Sequence, residues 1–453
     1  MTRRALVASV TALTVAGLVG FTMTAPTKTP ANPEIPISLA FSAGRFLKQQ
    51  AVPAKWPETV NFFNNREMEG IIPDTASAAS PVASEPITPT RVSTSDGSSM
   101  PLAFDNPAVP PSLALFHGIP EVLTGRGRHV VLDQRMHQRW HAHVMVTESP
   151  STTIGALALD CQMQTCLAAV ATEAKSASNI MVFRQRVSDG PWHRVAEIPI
   201  SPYLVEGDTV FTMAVADSTA WLLAAGSPGA GLMPKALWAS PNLGARWTLV
   251  AAGDLPGKTR ALPMPQGYPS GIVATGPNQV VLSTSPRGDS QVVALVYTLH
   301  PRGQQVLGFP VPGQLYMDGA YPALKHFRTL TIPIWASAPH EPSDVLFWAT
   351  RSRTNRAWQI QAAGAASGDS GITGHDTLVV VNRADLEIHS PGRPTIRAPF
   401  KSDFSQPLVA TVIARDRILV LGQTGNLWVN TRRGAWQQDR ARPRTIVRVP
   451  QRP

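Results

Sequence analysis

Cysteine is nearly absent from this chain, with only Cys161 and Cys166 in 453 residues. A thiolate metal site would need further thiols, so the pair points to one local disulfide across a tight turn in an exported protein. Such a small loop gives modest stabilisation, under about 3 kcal/mol. Tyrosine is scarce too, at five residues: Tyr203, Tyr268, Tyr297, Tyr316 and Tyr321. None of them sits in a recognisable catalytic context. Helical periodicity is missing beyond the N-terminus, which argues against a helical domain. There is no Gly-rich phosphate loop, no H-E-x-x-H and no G-x-S-x-G, so the common signatures of nucleotide, zinc-peptidase and serine-hydrolase chemistry are lacking. Acidic residues are outnumbered, 30 to 40, giving a formal charge of +10.

A recurring phrase is present instead. In Ala236-Leu237-Trp238-Ala239-Ser240-Pro241-Asn242-Leu243-Gly244-Ala245-Arg246-Trp247 an apolar strand enters a polar turn, and an aromatic opens the next strand. Phe183 to Trp192, Val131 to Trp140, Tyr297 to Val306 and Leu427 to Trp436 repeat the spacing. Phe347 to Trp358 is longer by two residues, and Glu387 to Ile396 is degenerate. The anchors Trp140, Trp192, Trp247, Val306, Trp358, Ile396 and Trp436 are separated by 52, 55, 59, 52, 38 and 40 residues. Each interval has room for four short strands bounded by Gly, Pro, Asn and Asp. The spacing predicts an all-β propeller of seven blades, with six or eight also compatible. One blade cannot bury both of its faces, so stacked blades bury each other. Large rings at a fixed blade position are expected to fill the wedge between neighbours.

Ser240-Pro241-Asn242-Leu243-Gly244-Ala245-Arg246-Trp247 resembles the Asp box, S-x-D-x-G-x-x-W, of sialidase-like propellers, with Asn242 in place of the Asp. Ser188-Asp189-Gly190-Pro191-Trp192 is a shortened relative, and Thr431 to Trp436 keeps only the Gly and Trp. The resemblance covers residues 115–447 and implies fold, because in that family the box is a structural turn distant from the ligand. Catalytic members use an arginine cluster, a Tyr–Glu nucleophile pair, an Asp acid/base and an F-R-I-P-like motif. Phe183-Arg184-Gln185-Arg186 is not such a motif. The resemblance therefore favours a non-catalytic member that binds a protein or envelope component, as assembly factors and sorting-receptor ectodomains of this class do. The alternatives are a sialidase-like exo-glycosidase and a non-hydrolytic binder of anionic glycan. No cofactor is expected.

Residues 1–25 read as a signal peptide or membrane anchor: Arg3 and Arg4 precede an apolar run from Ala5 to Met23. Cleavage near Ala25 and retention of residues 5–23 as an anchor both remain open. Either way the remainder is exported to the periplasm or beyond. Residues 26–112 read as an extended linker rich in Pro, Ser and Ala, with a possible docking segment at 34–72. The propeller is expected over 113–453, with Thr445 to Val449 supplying a missing first-blade strand. Arg432, Arg433, Arg440, Arg442, Arg444 and Arg448 form a candidate patch for an anionic or protein partner. Planar guanidinium groups suit phosphate and carboxylate, and an exported protein meets acidic lipids and glycans more readily than nucleic acid. The plain alternative is a solvated basic surface. A second cluster, Arg126, Arg128, His129, Arg135, His137, Arg139, His141 and His143, reads mainly as a solvated hairpin. His141 and His143 share a strand face, as two metal ligands would, but the arginines oppose a cation.

Overall fold

The computed structural model describes Thr90–Arg91 and, between Val109 and Arg448, the strands with most of the turns that join them. The expectations for residues 1–25, for most of 26–112, and for Ser188, Asp189, Trp358, Arg432, Arg433, Trp436, Arg440, Arg442 and Arg444 lie outside the described residues. Trp140 and Arg448 are described in backbone only.

Strands β1 (Thr90–Arg91), β2 (Ser112–Phe116), β3 (Ile119–Arg126), β4 (His129–Met136) and β5 (Arg139–Thr147) belong to the first sheet. The second comprises β6 (Thr152–Gln162), β7 (Thr165–Ala174), β8 (Ser178–Gln185) and β9 (His193–Ile200). The third comprises β10 (Val210–Ala216), β11 (Thr219–Ala225), β12 (Lys235–Ser240), β13 (Thr248–Gly253) and β14 (Leu262–Pro263). The fourth comprises β15 (Tyr268–Gly276), β16 (Gln279–Ser285), β17 (Val292–Leu299) and β18 (Arg302–Gly308). The fifth comprises β19 (Tyr316–Ala320), β20 (Leu324–Lys325), β21 (Thr329–Ser337), β22 (Asp344–Ser352) and β23 (Gln359–Ala366). The sixth comprises β24 (Gly371–Thr373), β25 (Leu378–Asn382), β26 (Asp385–His389) and β27 (Ile396–Pro399). The seventh comprises β28 (Leu408–Ile413), β29 (Arg417–Gly422), β30 (Leu427–Thr431) and β31 (Gln437–Asp439). The last strand, β32 (Thr445–Arg448), returns to the first sheet.

Within each sheet the four main strands are antiparallel neighbours in chain order. Short turns make this possible: His117 and Gly118 join β2 to β3 at φ 51° and 78°, the left-handed pair that a two-residue hairpin requires. Successive sheets pack on one another. The opening strands touch in series, β2 to β6, β6 to β10 and β10 to β15, and β28 lies against both β24 and β2. This is the topology of a β-propeller.

The core lies between sheets. Strands β11 and β12 are buried at every position and β7 at its first eight, because a neighbour covers each face. Their small side chains, such as Ala168, Ala169, Ala171, Ala224 and Ala236, allow close approach. The repeat aromatics fill the wider space. Trp192 packs with Leu123, Leu132 and Met145 of the first sheet. Trp247 packs with Leu167, Val182 and Val195 of the second, and Val306 with Trp221 and Leu237 of the third. Each of these anchors therefore lies in a buried cluster that its own sheet shares with the preceding one.

Two expectations are corrected. Ile396 is 60% exposed, because the whole turn from Pro391 to Ile396 lies at the surface, so it fills no wedge. The first sheet already owns four strands in β2–β5. Accordingly β32 adds a further one, parallel to β5 through Thr445–His141 to Arg448–Val144, and β1 pairs outside it.

Candidate functional site

The best-formed turn is the one from Ser240 to Trp247. Ser240 Oγ donates to Asn242 Oδ1 (2.9 Å) and accepts from Gly244 N (2.8 Å). Asn242 Oδ1 also accepts from Arg246 N at 2.9 Å, and Trp247 Nε1 donates to Gly244 O at 3.0 Å. Asn242 thus does the capping work expected of an Asp. Leu243 and Gly244 adopt φ 53° and 91°, and a Cβ on Gly244 would lie 3.3 Å from Leu167 and Val195. The turn is pressed against the second sheet, where Arg184 donates to Leu243 O at 3.2 Å. Burial, with the neighbouring Arg186 charge, lowers the Arg184 pKa. The Ser240 hydroxyl both donates and accepts within the turn, so Ser240 is structural.

Other polar groups lock sheet to sheet. Ser112 Oγ accepts from Leu159 N at 3.0 Å, and Asp160 Oδ2 accepts from Val215 N at 2.6 Å. Gln162 Oε1 accepts from Asp217 N at 2.8 Å, and Ser285 Oγ accepts from Ala320 N at 3.3 Å. Lys235, 1% exposed, donates to Asp254 Oδ2 (3.1 Å) and Gly267 O (3.0 Å).

The histidine cluster is dispersed. His129 bonds Thr147 Oγ1 at 3.0 Å, whereas His141 lies opposite Gln134 near the other end of the hairpin. Five rungs of an antiparallel pair separate them by roughly 15–20 Å. His143 is largely buried and pairs in backbone register with Leu132 and, through β32, Val447. Its Nε2 has no hydrogen-bond partner among the described residues. Burial, reinforced by His141, lowers its pKa to about 4, so it is neutral at physiological pH. His137 lies outside the described residues.

Tyr297 is fully buried between the third and fourth sheets, its hydroxyl lacks a partner among the described residues, and burial raises its pKa. No described side chain lies within hydrogen-bonding reach to activate it as a nucleophile. In the sixth sheet, His389 Nε2 lies 3.2 Å from Glu387 Oε2, and its Nδ1 lies 3.1 Å from Thr395 Oγ1. In the same turn Arg393 N donates to Ser390 O at 3.1 Å, so the Glu387–His389–Thr395 contacts tie the strands of the hairpin together.

The disulfide expected from the sequence is present. Cys161 on β6 and Cys166 on β7 are directly opposed. Beside them lies a group that the sequence reading missed. Glu121 of β3 is fully buried. Its Oε1 accepts from Gln134 Nε2 at 2.8 Å, and its Oε2 lies 3.4 Å from Cys166 Sγ. Burial pushes its pKa up to about 8, against the opposing effect of the Gln134 hydrogen bond. A signal was available: Glu121 and Leu123 share a strand face, and Leu123 belongs to the core between the first two sheets. A carboxyl at a core position of that period is a buried carboxyl.

No protein-family model matches the chain, and no curated protein matches it. Among solved structures, a chain of the mitotic checkpoint complex aligns at TM-score 0.42 and 7% identity, over 81% of this chain and 97% of that one. The β-propeller domain of the Trilobed protease from Pyrococcus furiosus aligns at TM-score 0.38 and 8% identity, over 63% and 85%. A protein from Listeria monocytogenes EGD-e aligns at TM-score 0.39 and 11% identity, over 70% and 93%. Scores this low carry no argument about function, and the propeller assignment rests on the sheet topology.

Proposed function

We propose that this chain is an exported, seven-bladed propeller of the Asp-box kind that binds a protein or an envelope component without hydrolysing it. Residues 5–23 tether it to the membrane, or cleavage near Ala25 releases it. The observation that carries this reading is how the reactive groups are used. Ser240 and Asn242 build a turn, Ser112, Asp160 and Ser285 lock sheets together, and the Tyr297 hydroxyl is sealed in the core. Such a use of side chains suits a rigid platform better than a glycosidase. The disulfide supports an oxidising compartment. The arginines near the C-terminus favour an anionic or acidic partner.

The test is affinity capture of the tagged, full-length protein from its own membranes, eluted at low and then high salt. Mass spectrometry identifies the contents and reads the intact N-terminus. A stoichiometric protein partner, with the N-terminal residues retained, is the expected result. Hydrolysis of fluorogenic sialosides by the purified protein would overturn the non-enzymatic reading. Co-purifying acidic glycan that is shed by salt, with no protein partner, would replace the partner assignment.

A further inference from the structure

The two cysteines are unequal. Cys166 is fully buried within the core between the first two sheets, whereas Cys161 is half-buried at the end of the β6–β7 hairpin. Of the two, Cys161, which packs at the margin of that core, is the one nearer solvent and so the point of attack for an incoming nucleophile. The sulfur that would leave is Cys166 Sγ, and Glu121 Oε2 lies 3.4 Å from it. Gln134 fixes the carboxyl from behind, donating to Oε1 at 2.8 Å. Gln134, Glu121, Cys166 and Cys161 are thus linked in series by contact, with Cys161 at the hairpin end.

We propose that Cys161, Cys166 and Glu121 form a thiol–disulfide exchange site. Cys161 takes an incoming thiolate from a dithiol, and Glu121 gives its proton to the departing Cys166 sulfur. In the first step the S–S bond breaks and a mixed disulfide forms on Cys161. Cys166 leaves as a thiol and Glu121 as a carboxylate. In the second step the other thiol of the dithiol attacks the mixed disulfide at its own sulfur and releases Cys161. The dithiol departs as a cyclic disulfide, having given two electrons and two protons. One proton ends on Cys161, and the other restores Glu121.

The chemistry needs Glu121. A thiolate expelled into an apolar core is strongly disfavoured, and a protonated carboxyl at contact distance removes that cost. Burial keeps Glu121 protonated at neutral pH, with its pKa pushed up to about 8. The surrounding elements leave that state undisturbed. Strand β2 places Ala114 opposite Glu121, and β8 places Gln185 opposite Cys166. On β5, His141 lies opposite Gln134, in the same cross-strand row as Glu121. On β6, Asp160 is tied to the backbone N–H groups of Cys161 and Val215.

The test uses the oxidised, full-length protein with dithiothreitol as the dithiol. Reduction is followed by thiol alkylation and mass spectrometry, and folding by near-ultraviolet circular dichroism. The folded protein is expected to be reduced without unfolding, and Glu121→Gln to slow this on the order of 100-fold, the usual scale for a lost general acid. The wild-type rate per thiolate should fall above about pH 8, as Glu121 loses its proton, and Glu121→Gln should remove that fall. Cys166→Ser should trap a mixed disulfide with an added aromatic disulfide on Cys161, whereas Cys161→Ser should trap none. Reduction only at the rate of global unfolding, or equal rates for wild type and Glu121→Gln, would make the bond a structural staple and overturn the proposal.

Discussion

A carboxyl with its pKa raised to about 8 leaves a signature in stability that is separate from any chemistry at the disulfide. Between an ordinary value near 4.5 and about 8, the folded chain holds a proton on Glu121 that the unfolded chain has released. The unfolded state thus binds fewer protons, and stability falls as pH rises through that window. Glu121→Gln removes the ionisable group and keeps an oxygen that can accept from Gln134. At pH 8 it is expected to stabilise the protein by on the order of 2–4 kcal/mol, and near pH 4.5 by almost nothing. Denaturant melts of both proteins at the two pH values check this. A difference independent of pH would mean that the carboxyl is not the cause.

At the scale of the element, the Ser240–Trp247 turn shows what sequence spacing can and cannot reveal. The nine-residue interval from strand aromatic to strand aromatic is local, and it carried through to Trp192 and Trp247, both buried in clusters shared with the preceding sheet. The turn chemistry is also local: Asn242 caps as its side-chain oxygen allows. Ile396 departs because spacing alone says nothing about where a turn with prolines at 391 and 394 comes to rest. For Glu121 the burial was legible in its alternation with Leu123, but the contact was not. Its partner Cys166 lies 45 residues away on another sheet, a separation that no periodicity within one strand encodes. Lys235 was missed likewise, since Asp254 and Gly267 meet it only after folding. The turn itself yields two predictions. Trp247→Ala should cost roughly 3–5 kcal/mol, because it removes a fully buried ring between two sheets. Gly244→Ala should cost roughly 1–3 kcal/mol through its left-handed backbone and the contacts its Cβ would force. Thermal melts of both variants measure these, and a loss well under 1 kcal/mol in Trp247→Ala would place that ring outside the load on the fold.

For the whole molecule, the consequential contact is the return of the chain to its beginning. The opening strands of the seventh and first sheets touch, and β32 then runs parallel beside β5, covering the edge that carries His141 and His143. Without β32, the first sheet would expose a row of unpaired backbone groups, a template for pairing with other chains. His143 would also lose part of its cover. In the intact protein its pKa is lowered to about 4 by burial and His141. The folded chain thus refuses a proton that the unfolded chain accepts below an ordinary value near 6.5. The stability tied to neutral His143 is present above that value and is lost as pH falls toward 4, by on the order of 3 kcal/mol. Truncation after Arg444 should therefore have two linked effects. The melting temperature at pH 7.5 should drop, at roughly 2–4 °C for each kcal/mol lost, with a new tendency to self-associate. The His143 pKa should rise toward the ordinary range, so that much of the acid sensitivity between pH 6.5 and 4 disappears. Histidine hydrogen–deuterium exchange resolves the second effect independently of the first. If the truncated protein melts lower but keeps His143 near 4, the depression belongs to the inter-sheet core, and the returning strand serves only to cover the edge.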